Sequence, residues 1–423
     1  MNLNPLTHGL WETSAAPLEH LPALTESISA DVIVVGAGFT GLSTALHLAE
    51  HGARAVVLEA AEVGFGGSGR NVGLVNAGLW LKPSDLRRTL GAPHGDRLLE
   101  NLGNAPSLVF DLIDRYGIEC EALRHGTLHC AVGGRGMRDI ETRHREWRAL
   151  HADVELLDAQ ATARKVGSTA FTASLLDRRA GTIQPLSYTR GLARAALSLG
   201  SRIFTATPVT EAKDSGTALT LKTPQGAVSA PWVIVATNVY STGLWSEVAR
   251  EMVRLPYFNF ATAPLPPDQL ANILPERHGI WDSRKMLSSL RRDQAGRLIF
   301  GSIGALRAGA RTHRDWAARS LRKLFPDLDD VRFEHEWFGS IGMTRDAVPR
   351  FHRLARNTYS ISGYNGRGIA PGTAFGRELA QLVAGSLREE QLSLPLTPLE
   401  RARWRRGRER LYEWGAAALH RVL

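Results

Sequence analysis

The stretch DVIVVGAGFTGLSTALHLAEHGARAVVLEA, residues 31–60, constrains the fold more than any other part of this 423-residue chain. DVIVV is an unbroken, β-branched run of the kind found in parallel strands buried on both faces. Gly36-x-Gly38-x-x-Gly41 follows it directly, and a helical period then sets in, with Leu42, Ala45, Leu46 and Ala49 on one face. Gly52 stops that helix, and AVVLEA forms a second strand that ends on the acid Glu59. Together these make a complete βαβ unit carrying a dinucleotide fingerprint. Gly36 permits the tight turn, Gly38 lets the backbone approach a pyrophosphate, and Gly41 allows the helix to pack on the strand. Phe39 and Thr40 open the helix, whose unpaired N–H groups and positive dipole end face the phosphates. Glu59, followed by Ala60, is placed to accept both ribose hydroxyls and to repel a 2′-phosphate, which disfavours NADP.

A second match to the same pattern, GFGGSGRNVG at 64–73, has no strand directly before it and no helical period after it. The match is coincidental, and the stretch reads as an extended loop that needs close backbone approach. As a functional element it would lie along a second part of a long cofactor, with Gly67, Ser68, Arg70, Asn71, Val72 and Gly73 beside it and Arg70 near a diphosphate or ring. No second fingerprinted βαβ unit exists for a nicotinamide cofactor. The cofactor expected is therefore FAD, bound extended and reduced by an organic substrate.

Strand-like runs at RIF, WVIVATN and TYSISG, each linked to helical patterns, extend the same sheet. A hairpin is expected around Pro224-Gln225-Gly226. The regions 85–159 and 242–340 differ in character, with LPYFNFATAPL, RLIFGSIGAL and RFEHEWFGSIGM resembling strands of an antiparallel sheet. The fold class expected is α/β plus α+β: a Rossmann-type, glutathione-reductase-like FAD-binding domain (25–84, 160–241 and 341–400) with an inserted antiparallel-sheet substrate domain (85–159 and 242–340). Residues 401–423 form a basic C-terminal helix with Trp404, Leu411 and Trp414 as its inward residues.

Net charge is +9, carried mostly by arginines that are scattered except at RARWRRGRER, residues 401–410. That run reads as a solvated helix face in preference to a nucleic-acid or membrane contact. Cys120 and Cys130 are the two cysteines and form no CxxC pair, and no histidines stand at metal-ligand spacing, so neither a disulfide framework nor a metal is expected. The N-terminus lacks a secretory pattern, and no apolar run approaches the roughly 18 residues of a membrane span. A soluble, cytoplasmic protein is expected.

The stretch 31–73, with VIVATN (233–238), GYNGRG (363–368), GTIQPL (181–186), GMTRDAVP (342–349) and LWE near the start, resembles the FAD-dependent amine and amino-acid oxidases of the D-amino-acid oxidase/glycine oxidase superfamily. Within it, the gamma-glutamylputrescine oxidoreductase-like branch is the nearest pattern. The resemblance implies an adenosine cradle at Gly36, Gly38, Gly41 and Glu59, with Val209 meeting adenine and Ala236 and Thr237 ending a neighbouring strand. Arg70 and Asn71 would sit beside the isoalloxazine. Gly363, Tyr364, Asn365, Gly366, Arg367, Gly368 and Ile369 would face its pyrimidine edge. A helix beginning near Pro371 would point its positive end at the negative charge of reduced flavin. Two departures stand out. Ile341 occupies the position of the arginine that clamps a substrate carboxylate in such oxidases, so a clamp is absent or comes from elsewhere, for example Arg291 or Arg307. No cysteine lies where related enzymes attach flavin, so FAD should be non-covalent.

The reaction implied is hydride removal from the carbon beside an amine nitrogen to flavin N5, hydrolysis of the imine, and reoxidation by O2 with release of hydrogen peroxide. Candidate walls are Tyr257, Phe258, Trp281, Trp337 and Tyr364, with Arg291 as a substrate contact, although aromatic residues of this kind also serve ordinary cores. Asp282 and Glu336 could attract a cationic substrate or pair on the surface. The partners expected are a small-molecule amine or amino acid and O2 or another acceptor. Two alternatives stay open: a dehydrogenase of secondary or cyclic amino acids using another acceptor, and a non-catalytic flavoprotein or basic binding module.

Overall fold

The computed structural model describes residues 8–284, 286–307, 309–328 and 331–422. Its first sheet grows outward from the DVIVV run. Val32–Val35 is buried at every position and takes parallel partners on both sides, Ala55–Leu58 and Trp232–Val235. Arg202–Phe204 and Thr358–Ser362 extend it in parallel, and Arg350–Ala355 closes one edge antiparallel. Continuous apolar strands result because both faces are covered. On one face lies a small sheet containing the expected hairpin, Leu219–Lys222 with Ala227–Ala230, whose Leu221 and Val228 pack with Ile33, Val56 and Val233. On the other lie the helices Phe39–Glu50, Pro185–Ser198 and Ile369–Val383.

The helix Phe39–Glu50 is buried from Phe39 to Ala49 on every side, not on the one face its apolar spacing suggested. Its polar residues are satisfied internally. Ser43 Oγ donates to the Thr373 carbonyl (2.7 Å), Thr44 Oγ1 to the Thr40 carbonyl (2.8 Å), and His47 Nδ1 to the Ser43 carbonyl (2.7 Å). Gly376 brings Ile369–Val383 alongside, since a Cβ there would stand 2.6 Å from Ser43 Cβ. The N-termini of the two helices therefore converge.

The second sheet has eight strands in the order Phe333–Met343, Val253–Thr262, Leu298–Ile303, Ser288–Arg292, Gly279–Asp282, Thr127–Ala131, Ala173–Asp177, Val154–Leu157. All neighbours are antiparallel except Gly279–Asp282 with Thr127–Ala131, where the two excursions of the chain join. Two boundaries need correction. Ala173–Asp177 lies in this sheet, so the first excursion runs past 160 before the chain returns at Gly181–Thr182, which pairs with Leu74–Val75. Phe333–Met343 likewise straddles 341. The short buried run ASLLD carries nothing to distinguish it from a strand of the parallel sheet.

The C-terminal helix spans Arg405–Val422, and residue 423 lies outside the described residues. Its orientation reverses the expectation: Trp404, Leu411 and Trp414 are 87%, 68% and 73% exposed, while Ala416 and His420 are buried. The four-residue spacing of Tyr412, Ala416 and His420 sets the docked face. His420 stacks on Trp316 at 3.8 Å and meets His313 Nδ1 at 2.7 Å, and Glu409 accepts from the Arg254 backbone (3.0 Å). Among the described residues, no helix is long and apolar enough to cross a membrane.

Candidate functional site

A cavity of about 810 Å³ opens between the carboxyl ends of the parallel strands and the eight-stranded sheet, at the large end of the range for small-molecule sites. One end is built by the first βα turn. Gly36 holds φ at +104°, and a Cβ on Gly41 would overlap the Gly36 carbonyl. Gly41 thus acts by packing and does not line the cavity, whereas Gly36, Gly38, Phe39 and Thr40 do. The helix N-cap, Gly38, supplies no capping side chain; Phe39 N–H donates instead to Ser68 Oγ (3.1 Å). Glu59 Oε2 accepts from Ala37 N–H (2.8 Å) and Oε1 from Ala61 N–H (2.9 Å). Burial pushes this carboxyl above the usual range, against the pull of its backbone bonds. Each oxygen keeps acceptor capacity, which suits a vicinal diol. Ala60 and Val209 complete this end.

The second glycine run folds back onto the first turn. Gly64 N–H donates to the Ala37 carbonyl (3.0 Å), and Gly67–Gly69 makes one tight turn closed by Gly69 N–H on the Gly64 carbonyl (2.9 Å). Asn71 then braces the loop, its Nδ2 donating to the Gly67 (3.0 Å) and Ser68 (2.9 Å) carbonyls and its Oδ1 accepting from Gly73 N–H (2.9 Å). Gly67, Ser68, Asn71 and Val72 line the cavity. Arg70 and Gly73 do not. The Arg70 carbonyl accepts from Trp337 Nε1 (2.9 Å) and Asn259 Nδ2 (3.0 Å), and its guanidinium lies over Phe65 at 4.7 Å. Gly73, at φ +86°, abuts the Ile183 carbonyl.

The third wall is the GYNGRG loop. Tyr364, Asn365, Gly366, Arg367, Gly368 and Ile369 line the cavity, and Gly363 sits behind, donating to Asn238 Oδ1 (3.0 Å). The following helix starts at Ile369, two residues before Pro371, with no side-chain cap, so its positive end faces inward. Tyr364 Oη meets Thr40 Oγ1 at 2.6 Å, tying this loop to the first helix; burial pushes its phenol up. Ala236 and Thr237 also line the cavity.

Of the candidate reaction residues, Tyr257, Phe258 and Trp281 reach the cavity, and Trp337 and Arg291 do not. Trp337 is fully buried behind the Arg70 loop, edge-on to Trp11 at 5.4 Å. Arg291 is enclosed, donates to the Ile183 carbonyl, lies 3.7 Å from Glu121, and is pulled down to about 10 by burial. Arg307 is exposed outside the cavity. Asp282 is engaged by Ser288 and Arg284, and Glu336 by Arg314; neither faces the cavity. Ile341 lines it as an apolar residue. Sequence reasoning missed Trp80, Tyr240 and Asn259 as lining residues; the only signal for Trp80 was an aromatic residue just after the second glycine loop. No cysteine or histidine lines the cavity among the described residues.

The sequence matches the family described as FAD dependent oxidoreductase over residues 31–382. It is 34% identical over 386 residues to the gamma-glutamylputrescine oxidoreductase of Escherichia coli K12, covering 90% of this chain and 89% of that one. In structure it is similar to glycine oxidase from Geobacillus kaustophilus (TM-score 0.70, 19% identity, 89% and 99% of the two chains). It is also similar to L-proline dehydrogenase from P. horikoshii (TM-score 0.71, 17% identity, 86% and 96%). The chain belongs to the FAD-dependent oxidoreductase family and is an enzyme.

The residues present fit that cofactor. The glycine cradle and Glu59 stand at one end and two uncapped helix N-termini along the middle. At the other end, Tyr257 Oη and Asn259 Oδ1 line the cavity buried and without a hydrogen-bond partner, an arrangement that calls for a polar ligand.

Proposed function

We propose that this member of the FAD-dependent oxidoreductase family oxidises the C–N bond of an amine or N-substituted amino acid, with FAD held non-covalently and O2 as the terminal oxidant. Glu59 would hold the ribose, the Phe39 helix end and Ser68 the diphosphate, and the 71–72 and 364–369 loops the ring system. When bound, FAD would supply the two-electron acceptor for hydride leaving the carbon beside the amine nitrogen. The imine product would be released to hydrolysis, and hydrogen peroxide would be the product expected with O2 as terminal oxidant.

One observation carries this reading. The single acid lining the cavity among the described residues is Glu59, at the adenosine end, and no histidine stands at the other. No side-chain base therefore serves the reacting amine, whose ammonium form titrates near ~10.4 in water. Tyr257, Phe258, Trp80 and Trp281 supply apolar surface instead, and desolvation of this kind lowers an ammonium pKa by up to roughly 3–5 units. The walls deprotonate the amine by excluding water. That one relative is named for gamma-glutamylputrescine and others for glycine supports amines and amino acids as the substrate range.

The test is an anaerobic panel of amines and amino acids read by loss of flavin absorbance, then repeated in air with a peroxide assay. Bleaching by an amine with peroxide release supports the reading. Bleaching that O2 does not reverse would replace the oxidase with a dehydrogenase, and a colourless protein that takes up no FAD would end the proposal.

A further inference from the structure

We propose that Arg367 is the anion-binding element of the substrate cavity, holding a carboxylate of the same molecule whose C–N bond is oxidised; this rests on the amine-oxidising reading above. The side chain enters the cavity from the GYNGRG loop. Its Nη1 donates to the Ala77 carbonyl (3.0 Å). Its Nε is buried with no partner, its Nη2 makes no hydrogen bond, and no carboxylate lies within 4 Å of it among the described residues. The unengaged Nε/Nη2 edge presents two parallel N–H donors, the geometry that takes a carboxylate in bidentate fashion.

The guanidinium is also pre-positioned. Its carbon lies 4.5 Å from the Trp80 ring centre and 5.3 Å from that of Trp281. Trp80 is fixed by its Nε1 on the Asn365 carbonyl (2.6 Å), and Trp281 is backed by His129, stacked at 5.2 Å. The surroundings add positive potential: the uncapped start of the Ile369–Val383 helix is next in sequence, and Arg143 and Arg179 act on the same group, with Asp177 opposing. Burial pulls Arg367 down to about 9. Burial disfavours the charged guanidinium and the two tryptophan faces offset only part of that cost, which leaves a site complementary to an anion.

The position favours substrate over cofactor as that anion. Trp281 belongs to the sheet of the inserted domain, and Ala77 and Trp80 to the stretch after the second glycine loop, whereas the cradle residues Gly36, Glu59 and Ser68 make no bond to Arg367. Arg291 and Arg307 stay out of the cavity. Arg254, the other cation lining it among the described residues, is exposed and donates to the Val239 carbonyl (2.9 Å). The ligand class is an amino acid, or a longer amine carrying a carboxylate.

The experiment uses the FAD-loaded enzyme and acetate and glutarate as inert carboxylate probes, read by perturbation of the flavin absorbance. Arg367→Gln should weaken both by ~100-fold, and Arg367→Lys, which keeps the charge but loses the planar fork, by ~10-fold. In both variants, bleaching by a carboxylate-bearing amine should lose at least tenfold more apparent affinity than bleaching by a carboxylate-free amine. Carboxylate affinity within threefold of wild type in Arg367→Gln would overturn the proposal, and a fallen flavin potential beside it would assign Arg367 to the flavin ring. If Arg367→Gln purifies without flavin, Arg367→Lys decides on the same titration. A colourless wild-type protein would instead fail the amine-oxidising reading itself.

Discussion

Replacing Glu59 with Gln tests the cofactor cradle at its most constrained atom pair. Both carboxylate oxygens already accept backbone N–H groups, at 2.8 and 2.9 Å, so the side chain cannot turn away. Glutamine can satisfy one of those donors, but its amide NH2 must then face the other N–H. One ribose acceptor disappears, and the bond that survives is no longer charge-assisted. Hydrogen bonds to charged groups are worth ~1.5–3 kcal/mol each, so FAD affinity should fall by about 3 kcal/mol, on the order of 100-fold. Titrating FAD into deflavinated protein, followed by flavin fluorescence, measures this directly. The pH dependence adds a second signature. Burial raises the Glu59 pKa, so its contribution to the stability of the deflavinated fold is present at low pH and is lost as pH rises through the raised value. FAD binding needs the charged form and should weaken as pH falls through the same window. Wild type should thus lose affinity above the ordinary glutamate range while Glu59→Gln stays flat. An affinity within threefold of wild type, or parallel pH profiles, would refute a ribose-binding role.

Gly41→Ala forces a Cβ onto the Gly36 carbonyl, and because both partners are backbone the cost should reach or exceed about 3 kcal/mol; thermal unfolding and the ratio of visible to ultraviolet absorbance should both fall. Trp337→Phe removes one of two donors to the buried Arg70 carbonyl, so stability should drop by about 1–2 kcal/mol while kcat stays within threefold, and a hundredfold loss of kcat would restore Trp337 as a reaction residue. Burial holds His313 and His420 down to about 4 and 3, with His420 also opposed by Arg319. Their depressed values stabilise the fold above pH ~6.5, and that stability is lost as pH falls through the lowered range. Protection factors of the amides in Arg405–Val422, corrected for intrinsic exchange, should fall toward pH 4, and His420→Phe should flatten the response.

The nucleotide half of the fold was legible because its signals are local. A strand, a glycine turn, a helix and a terminal acid stand within thirty residues, and each step follows from backbone geometry. What the second glycine run does was only half legible. Its need for close approach could be read from composition, but its partner, the Ala37 carbonyl, is fixed by the fold and not by the spacing. Trp337 illustrates the opposite error. A tryptophan on a cap strand looks like a wall, and only the tertiary structure shows its N–H committed to the Arg70 carbonyl behind the cavity.

The arginines show why substrate contacts were the least legible part. Arg291 sits in a strand whose sequence neighbours suit a pocket, yet it is sealed against Ile183 and Glu121. Arg367 was read as a flavin-side residue because the glycines around it belong to the cofactor loop. Its guanidinium also lies over Trp80 and Trp281, which are contributed by segments 287 and 86 residues away. Wherever a site forms between a domain and its insertion, the residues that discriminate ligands come from both chain excursions, and no single window contains them. The C-terminal helix follows the same physics. Its tryptophans look like the face that should be buried, but docking is decided by where Trp316 and His313 wait for His420, and that leaves Trp404 and Trp414 on the outside.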